Sequence, residues 1–426
     1  MTPVQEQSLP LILSGRDVIA QAKTGSGKTL AFGLGLLQQL DAGLYHPQAL
    51  VLCPTRELAD QVAKELRKLA RTTPNIKILA LCGGVPFGPQ LGSLEHGAHI
   101  LVGTPGRIEE HLRKGSLKAG QLRMLVLDEA DRMLDMGFQE SLDAIIGYLP
   151  TERQTLLFSA TFPDSIAAIA GRVMQHPQMV KVDAEHDEST IRQIFYRVAS
   201  NAERFPALRG LLLHYRPESA VVFCNTKLET QEVADALAKL GFTAQALHGD
   251  MEQRERDQTL VKFTNKSLSV LVATDVAARG LDIAALDAVI NYQPARDSEV
   301  HIHRIGRTGR AGSNGIAITL FTEAERYKLD NVEIAPLPST PSMNEPAYKA
   351  SMATIQIDGG KKQKVRPGDI LGALTAGNSL AATDIGKITL HDNCAYVAVQ
   401  RKVVDEAVRK LANEKMKGKS FRARKI

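Results

Sequence analysis

Cysteine is scarce in this sequence, and the few cysteines do not cluster. Cys53, Cys82, Cys224 and Cys394 are far apart, and no CxxC or Cys/His group occurs. That spacing argues against a zinc site and against a disulfide framework. Three of the four lie in apolar runs, where a buried, unreactive thiol is the ordinary interpretation. These features fit a protein of the reducing cytoplasm.

Long hydrophobic segments are also absent. No apolar run approaches the roughly 18 residues that a membrane-spanning helix needs, and the N-terminal stretch MTPVQEQSLP has no signal-peptide core. The sequence therefore predicts a cytoplasmic protein without a membrane segment. Its 426 residues, 44% hydrophobic and 23% charged, exceed one ordinary core. This length indicates roughly two to four globular domains.

Positive charge is concentrated at one end of the chain. Residues 350–426 hold 15 Lys/Arg against 7 Asp/Glu, a balance of +8, so the first 349 residues balance at −3 within the total of +5. A basic segment on a near-neutral body indicates contact with a polyanion. A basic surface that serves only solubility is the alternative.

Short apolar runs alternate with longer amphipathic stretches through two successive parts of the chain. The runs 49-ALVLCPT and 123-RMLVLDE in the first part, and 219-SAVVFCNT and 269-SVLVATD in the second, are apolar on both faces. Such strands, separated by helical patterns, are typical of parallel sheets in α/β domains. We therefore predict two consecutive α/β domains, at residues 1–183 and 184–328, that share an architecture but no sequence repeat.

A third domain is predicted after a proline-rich linker. The stretch 335-APLPSTPSMNEP has four prolines in twelve residues, so the linker is placed at residues 329–349. In residues 350–426, strand-like and helical segments follow in the order β-α-β-β-α, ahead of the basic end 415-KMKGKSFRARKI. This order is the ferredoxin-like pattern of RNA-recognition modules and predicts a small α+β domain.

A phosphate-binding loop is predicted near the N-terminus. The stretch 22-AKTGSGKT follows the strand-like 17-DVIAQ and opens the helical 29-TLAFGLGLLQQL. Glycines in such a loop let backbone N–H groups close on phosphate, and the helix N-terminus adds positive potential. Lys28 is expected to reach the β- and γ-phosphates, and the Thr29 hydroxyl to bind Mg²⁺. The predicted nucleotide-binding residues of this loop are Ala22, Thr24, Gly25, Ser26, Gly27, Lys28 and Thr29.

The stretch 126-VLDEAD-131 places three carboxylates directly after an apolar run. A lone acidic strand end is usually a solvated turn. Beside a P-loop, however, the site needs one group that holds the metal and one that activates water. Asp128 is expected to hold Mg²⁺, and Glu129 to orient and deprotonate the attacking water.

These motifs, with others, resemble those of the DEAD-box RNA helicases over residues 1 to about 325. They occur in that family's order: 2-TPVQ, 22-AKTGSGKT, 54-PTREL, 83-GG, 104-TPGR, 128-DEAD, 159-SAT, 223-FCNT, 248-HGD, 253-QRER, 274-TDVAARGLD and 303-HRIGRTGR. The resemblance implies two tandem RecA-like P-loop domains with parallel sheets. It also implies ATP and Mg²⁺ as cofactors and RNA as the partner.

The resemblance assigns nucleotide contacts to both domains. Gln5 would read the adenine edge, while Gly280 and Asp282 would bind the nucleotide from the second domain. Arg307 and Arg310 would approach the γ-phosphate, and on a helix their i, i+3 spacing would direct both guanidiniums the same way. Half of the site would then lie on each domain, so hydrolysis is expected to require domain closure.

Coupling residues are implied in the same way. His303 would pack against the acidic motif, and Asp131 would contact the HRIGRTGR segment. Ser159 and Thr161 would link the hydrolysis site to domain closure.

RNA contacts are implied at the remaining motifs. Most of these residues are small, hydroxyl-bearing or basic, which suits phosphate and 2′-OH contact without sequence readout. They are Pro54, Thr55, Arg56, Gly84, Thr104, Pro105 and Arg107 in the first domain, and Asn225, Gly249, Thr274, Asp275 and Arg279 in the second.

Two positions depart from the family pattern. An aromatic residue that usually stacks on adenine lies well upstream of the glutamine, whereas this sequence begins shortly before Gln5. We expect weaker adenine selectivity or affinity from a shortened start. His301 replaces the usual aromatic residue two positions before His303, a change that we expect to be tolerated.

Residues 350–426 resemble the divergent RNA-recognition module of the bacterial DbpA subgroup, whose members act on large-subunit ribosomal RNA. The stretches 354-TIQIDG and 391-HDNCAYVAV carry one aromatic residue, Tyr396, where ordinary modules stack bases on several. A charged, shape-based grip on structured RNA is therefore expected, and a flexible solubilising tail is the alternative for the basic end. The candidate RNA contacts are Lys387, Tyr396, Arg401 and Lys402.

The resulting hypothesis is a monomeric ATP-dependent RNA helicase. ATP and RNA would close the two domains, and the bent RNA strand would no longer fit a duplex. The third domain would tether the enzyme to 23S-type ribosomal RNA in a pre-ribosomal particle, during large-subunit assembly. An ATP-gated RNA clamp without significant unwinding is one alternative, which intact Glu129, Arg307 and Arg310 oppose. A DNA-directed motor is another, which the hydroxyl-rich, aromatic-poor contact set opposes.

Overall fold

The computed structural model describes residues 1–22, 25–182, 191–278, 286–309, 315–329, 332–338, 345–378, 380–416 and 418–426. These residues form two units, the first comprising the described residues up to 182 and the second those from 191 onward. Among the described helices, none is long and apolar enough to cross a membrane.

A parallel sheet forms the centre of the first unit. Its strands are β1 (Val18–Gln21), β2 (Ala49–Leu52), β3 (Ile78–Leu81), β4 (Ile100–Gly103), β5 (Met124–Asp128), β6 (Gln154–Ser159) and β7 (Gln178–Lys181). Its helices are α1 (Pro3–Leu13), α2 (Lys28–Gln39), α3 (Arg56–Leu69), α4 (Phe87–Glu95), α5 (Pro105–Arg113), α6 (Ala130–Asp135), α7 (Gln139–Tyr148) and α8 (Asp164–Val173). The strand order is β3-β4-β2-β5-β6-β1-β7.

Helices cover both faces of this sheet, which explains its apolar strands. Every residue of β2, β4 and β5 is buried. Successive side chains of a strand point to opposite faces, and Val51 accordingly joins one hydrophobic core while Leu50 and Leu52 join the other. A strand buried on both faces has no polar alternation, because neither face meets water.

The second unit begins with a parallel sheet of the same topology. Its strands are β8 (Ile191–Arg197), β9 (Ala220–Phe223), β10 (Ala244–Leu247), β11 (Val270–Ala273), β12 (Ala288–Asn291), β13 (Gly315–Phe321) and β14 (Ile334–Ala335). Its helices are α9 (Arg204–Tyr215), α10 (Lys227–Lys239), α11 (Gln253–Thr264), α12 (Asp275–Ala278) and α13 (Ser298–Ile305). The order β10-β11-β9-β12-β13-β8-β14 repeats that of the first sheet strand for strand. The predicted architectural likeness of the two α/β domains is therefore confirmed.

The C-terminal part of the second unit is a small α+β module. Its elements are β15 (Met352–Ile357), α14 (Pro367–Thr375), β16 (Ile385–Leu390), β17 (Ala395–Gln400), α15 (Val404–Asn413) and β18 (Ala423–Lys425). The antiparallel strand order β16-β17-β15-β18 confirms the predicted ferredoxin-like class. The chain thus contains two RecA-like domains followed by this module.

The structure corrects one alternative and one prediction from the sequence. The basic end is not only a tail, because β18 pairs with β15 as the fourth strand of the module. The predicted linker also contains structure: β14 extends the second parallel sheet beside β8, and the Tyr348 ring packs edge-on against Phe242 at 5.5 Å. Short edge strands carry too few apolar residues to be recognised from their own sequence.

Arg204 ties together the carboxyl ends of two neighbouring strands. Its guanidinium is 1% exposed and donates to the carbonyls of Tyr292, at 2.7 Å, and Leu320, at 3.1 Å. It also forms an ion pair with Glu325. Tyr292 directly follows β12 and Leu320 lies in β13, so one buried cation satisfies polar groups of both strands.

Replacing Arg204 with methionine is expected to destabilise the second unit strongly. The change removes the guanidinium donor from two buried carbonyls and leaves the Glu325 carboxylate with its Thr322 donors but no cation. The free energy of unfolding should fall by about 3–5 kcal/mol. Hydrogen exchange of the β12 and β13 amides should accelerate accordingly. Arg197→Met is the control, because the Arg197–Glu323 pair is exposed and should contribute about 0–1 kcal/mol. Equal protection in both variants would contradict the assigned role of Arg204.

Candidate functional site

The strand order of the first sheet divides the sequence motifs into two groups. The carboxyl ends of parallel strands meet at one edge, where ligands bind in open α/β sheets. Neighbouring strands β5, β6 and β1 end in the DEAD, SAT and P-loop motifs. The adjacent strands β3, β4 and β2 end in the GG, TPGR and PTREL motifs. Candidate nucleotide and RNA groups therefore lie side by side along one edge.

The P-loop takes a conformation that requires glycine. Gly27 has φ +90°, and a Cβ there would lie 2.3 Å from Nε2 of Gln5. The positive φ would strain any other residue, and a Cβ would displace the Gln5 side chain from this position. The predicted loop residues Ala22, Gly25 and Ser26 are described, whereas Thr24 lies outside the described residues.

Gln5 braces the P-loop from helix α1. Its side chain is 7% exposed, and Nε2 donates to the Gly27 carbonyl at 3.1 Å. Its Oε1 accepts from the Thr2 N–H at 3.0 Å, which ties the residue before α1 to the first turn of the helix. This position of Gln5 beside the loop fits the predicted nucleotide site, and its contact with adenine stays a prediction.

Lys28 begins helix α2 at the end of the loop. Its ammonium group donates to the Ala22 carbonyl at 2.9 Å, and the residue is only 6% exposed. Thr29 is the next residue of the helix and is half-buried. The lysine is thus folded over the loop whose backbone would hold phosphate, and it can exchange its carbonyl partner for a phosphate oxygen.

Asp128 is buried at the end of β5, with one oxygen unpartnered. The residue is 3% exposed, and Oδ1 has no hydrogen-bond partner among the described residues. Burial raises the pKa of this carboxyl to about 6; Lys28 opposes the shift, and Glu129 adds to it. A buried carboxylate oxygen without a protein donor, in a site on which the P-loop lysine also acts, is a hard oxygen ligand of the kind that Mg²⁺ prefers.

Glu129 is held in place by Arg132, a residue for which the sequence motifs predicted no role. Glu129 has φ +53°, a left-handed conformation that costs a non-glycine residue about 1–3 kcal/mol and is typical of functional sites. Arg132 Nη1 donates to Oε2 of Glu129 at 2.5 Å, and both side chains are less than 5% exposed. Their i, i+3 spacing at the start of a helix was the available sequence signal.

Asp131 joins the DEAD motif to the SAT motif. Its Oδ2 accepts from the backbone N–H groups of Ala160 and Thr161, at 3.2 and 3.1 Å, and from the Thr161 hydroxyl at 3.0 Å. Its own N–H donates to Ser159 Oγ at 3.4 Å. The predicted coupling residues of the first unit are therefore in direct contact. The contact of Asp131 with the HRIGRTGR segment stays a prediction.

Arg107 organises the predicted RNA-binding loops of the first unit. Both terminal nitrogens of its guanidinium donate to the Val85 carbonyl, at 3.0 and 3.1 Å, and Nε pairs with Glu110 at 3.0 Å. The loop with Gly84 is thereby tied to helix α5, which begins after Thr104. Arg107 thus positions a neighbouring loop, and its contact with RNA stays a prediction.

The other predicted RNA contacts of the first unit differ in exposure. Thr55 is buried, and its hydroxyl accepts from Leu58 N–H as the cap of α3. Arg56 is partly exposed and lies 3.6 Å from Asp60. Pro54 and Pro105 are buried, and their contact with RNA stays a prediction.

A buried histidine on α5 packs against helix α4 of the first unit, which follows the loop that contains Gly84. His111 on α5 is fully buried, with Nε2 3.0 Å from Gln90 Oε1 and Nδ1 2.9 Å from the Ser116 hydroxyl. Its ring stacks on Phe87 at 4.2 Å. Burial lowers the pKa of His111 to about 4, so the ring is neutral at physiological pH. No motif of the sequence identified it.

In the second unit, Arg304 contacts two of the residues that are predicted to bind RNA. Its guanidinium is 1% exposed and binds both carboxylate oxygens of Asp275, at 2.6 and 2.8 Å. It also donates to Asn225 Oδ1 at 2.8 Å and to Asn291 Oδ1 at 3.3 Å, and lies over the Phe223 ring. Asn225 and Asp275, both predicted to contact RNA, are thus positioned by one buried cation that sequence reasoning missed.

The remaining predicted groups of the second unit are only partly described. Thr274 caps the short helix α12, with its hydroxyl 3.4 Å from the Ala277 N–H, and Gly249 is exposed. Arg307 is 5% exposed and follows the end of α13 at Ile305, so the expected helical placement of this arginine is wrong. His303 lies on α13. Arg279, Gly280, Asp282 and Arg310 lie outside the described residues.

The structure does not support Tyr396 of the C-terminal module as an RNA contact in this arrangement, and it agrees with the expectation that bases do not stack on this sheet face. Tyr396 is 4% exposed, as are its neighbours on the same sheet face, Gln356 at 4% and Thr354 at 1%. The face packs on helix α11: Gln258 Nε2 donates to Gln356 Oε1 at 3.0 Å, and Asn265 Nδ2 donates to Thr354 Oγ1 at 2.9 Å. RNA bases cannot stack where the helix already lies.

The basic candidates of the module are placed differently from one another. Lys387 is exposed, and Lys402 is exposed with its ammonium 3.4 Å from Asp384. Arg401 instead donates to the carbonyls of Ala350 and Met352, at 2.8 and 3.0 Å. It therefore holds the start of the module to its sheet.

Comparison with known proteins agrees with this assembly of motifs. Residues 2–169 match the family model of the DEAD/DEAH box helicases, residues 203–312 that of the helicase conserved C-terminal domain, and residues 354–425 that of the DbpA RNA binding domain. The S. cerevisiae Dbp5 structure bound to RNA and ADP BeF3 aligns with a TM-score of 0.70 at 30% identity, over 79% of this chain and 90% of that one.

Two bacterial relatives match the chain throughout. It is 56% identical over 430 residues to the ATP-dependent RNA helicase DbpA of Escherichia coli (strain K12), covering 100% of this chain and 94% of the relative. It is 37% identical, with the same coverage, to the ATP-dependent RNA helicase DbpA of Bacillus subtilis (strain 168). The chain therefore belongs to the DEAD-box ATP-dependent RNA helicases of the DbpA type, with a DbpA RNA-binding domain at its C-terminal end.

Proposed function

We propose that this helicase separates RNA duplexes locally, through closure of its two parallel-sheet domains on ATP and RNA. Its C-terminal module tethers it, as a cytoplasmic monomer, to 23S-type ribosomal RNA in a pre-ribosomal particle during large-subunit assembly. The observation that carries the proposal is the buried pair Asp128 and Glu129 beside Lys28, with one oxygen of Asp128 unpartnered. This is the charge arrangement that a phosphate-hydrolysing site requires.

In this proposal, different residues of the first domain bind the metal, bind the phosphates and activate the attacking water. Thr29 and Asp128 would hold Mg²⁺, which neutralises phosphate charge when bound. Lys28 moves from the Ala22 carbonyl to the phosphate oxygens. Glu129, braced by Arg132, orients the attacking water and accepts its proton.

The second domain completes the site in this proposal. Arg307 and Arg310 approach the γ-phosphate, and such arginines are worth about 10³–10⁵ in rate in other P-loop enzymes. Asp131 transmits closure through its contacts with Ser159 and Thr161. Because both arginines belong to the second domain, ATP hydrolysis requires that the two domains close.

RNA lies along the motif groups next to the nucleotide in each domain. Arg107 in the first domain and Arg304 in the second organise the loops that grip the RNA backbone. Grip through phosphate and 2′-OH groups is independent of sequence. The relative solved with RNA and ADP BeF3 supports simultaneous binding of both ligands. Preference for ribosomal RNA then resides in the C-terminal module.

Substitution of Glu129 by glutamine tests the water-activating role. RNA-stimulated kcat for ATP hydrolysis should fall about 100-fold or more, because the amide cannot accept the proton. ATP binding should persist. Glu140→Gln, on the exposed face of α7, is the matched control and should behave as wild type. If wild-type protein released no phosphate with RNA present, an ATP-gated clamp would replace this proposal.

Removal of the brace on Glu129 tests the role of Arg132. In Arg132→Gln, the Glu129 carboxylate loses its fixed orientation, so kcat should fall about tenfold, or about 1.4 kcal/mol. The KM for ATP should change little, because Arg132 does not face the phosphates in this assignment. Arg132→Lys should restore part of kcat, and Arg113→Gln, an exposed arginine on α5, should have no effect. A wild-type kcat in Arg132→Gln would refute the bracing role.

Charge reversal on the module tests the ribosomal tether. In Lys387→Glu combined with Lys402→Glu, ATPase stimulation by large-subunit ribosomal RNA fragments should fall, because two exposed cations become repulsive to phosphate. Stimulation by single-stranded poly(A) should remain. Lys239→Glu on α10 serves as the control. The tether is disproved if wild-type protein responds equally to ribosomal RNA and to random RNA.

A further inference from the structure

A cavity opens at the seam where the C-terminal module packs on the second parallel-sheet domain. Its volume is about 180 Å³. One wall comes from β10, α11 and the turn before β11, and the other from β15, β18 and the segment after β17. The cavity thus adjoins the contacts of α11 with the module sheet, between Gln258 and Gln356 and between Asn265 and Thr354.

The charged side chains that line this cavity are all cations. Lys262 belongs to α11, while Arg401 and Lys425 belong to the module. No acidic side chain occurs among the described lining residues. The apolar side chain of Ile426 also lines the cavity. The seam is therefore positively charged from both sides.

Several donors in the cavity are uncommitted within the described part of the chain. Ser267 Oγ is buried and has no hydrogen-bond partner there. Lys262 is half-buried, and desolvation alone lowers its pKa, with no carboxylate acting against it. Arg401 uses Nε and Nη2 for the Ala350 and Met352 carbonyls, while no contact of its Nη1 is found. A buried polar group without a partner is costly unless a ligand satisfies it.

We propose that this cavity binds a phosphate group of the RNA backbone. Lys262, Lys425 and Arg401 would supply the positive charge, and Ser267 a neutral donor. Arginine and lysine are the ordinary protein partners of phosphate. A phosphate in this cavity would contact both the second parallel-sheet domain and the C-terminal module. RNA held by the module would thereby strengthen the docking of the module on the second domain, since a ligand stabilises the arrangement that binds it.

The inference deepens the proposed tether and rests on it, because it assigns RNA contacts to the seam. Inorganic phosphate shares the same chemistry, so the test must separate the two sources. RNA contacts made by cations have a distinctive signature: each contact releases counterions and steepens the dependence of affinity on salt. Free phosphate binding does not change the salt dependence of RNA affinity.

The experiment measures binding of a fluorescein-labelled large-subunit ribosomal RNA fragment across a salt series. In Lys262→Gln and in Lys425→Gln, the slope of log affinity against log salt should become shallower by about one each. Ser267→Ala should weaken binding without changing the slope, because it removes a donor but no charge. Lys239→Gln, a lysine outside the cavity, should leave both affinity and slope unchanged. Lys425 is exposed, so Lys425→Gln tests the site even if Lys262→Gln disturbs packing.

The outcomes separate this inference from the proposed tether. Wild-type binding of the fragment together with shallower slopes in both lysine variants supports a phosphate site at the seam. Wild-type binding with unchanged slopes overturns the seam site and leaves the tether standing. Titration of wild-type protein with inorganic phosphate completes the test: binding that Lys262→Gln abolishes, with RNA slopes unchanged, would assign the cavity to free phosphate and overturn the inference. Absence of wild-type RNA binding overturns both.

Discussion

Two buried carboxylates at the end of β5 impose the main constraint on the first unit. Asp128 and Glu129 are each 3% exposed, and buried charge is tolerated only when neighbouring groups compensate it. Arg132 compensates Glu129 directly, and Lys28 acts on Asp128 from the P-loop. One oxygen of Asp128 keeps no protein partner. This arrangement fits the proposed binding of a cation and phosphate beside a carboxylate that is already oriented.

Buried arginines perform comparable tasks in the second unit. Arg304 connects the loop after β9, the start of α12 and the helix of the HRIGRTGR motif. A planar guanidinium can satisfy several acceptors in fixed directions, which lysine cannot do. Asn225 and Asp275, which are both predicted to contact RNA, are thus held by one buried cation on the helix that also carries His303.

The C-terminal module uses its sheet in an unexpected way. The face that RNA-recognition modules usually offer to bases is packed on α11 through Thr354, Gln356 and Tyr396. Polar side chains suit this role because hydrogen bonds can form across the contact, whereas exposed aromatics would favour base stacking. The RNA contacts that we propose for the module therefore lie in the charged surroundings of that contact, and helix α11 holds the module sheet through these hydrogen bonds.

The order of elements, the P-loop and the acidic motif were all readable from the sequence, and so was the likeness of the two large domains. These features depend on neighbouring residues: apolar runs mark buried strands, and a glycine-rich loop before a helix marks a phosphate site. The tertiary structure alone decided that Arg132 braces Glu129, that Arg304 joins Asn225 to Asp275, and that Tyr396 is covered. Strands β14 and β18 likewise needed their sheets to be recognised. The reason is physical: a residue type states which bonds a group can make, but only the packing of distant segments determines which bonds it has made.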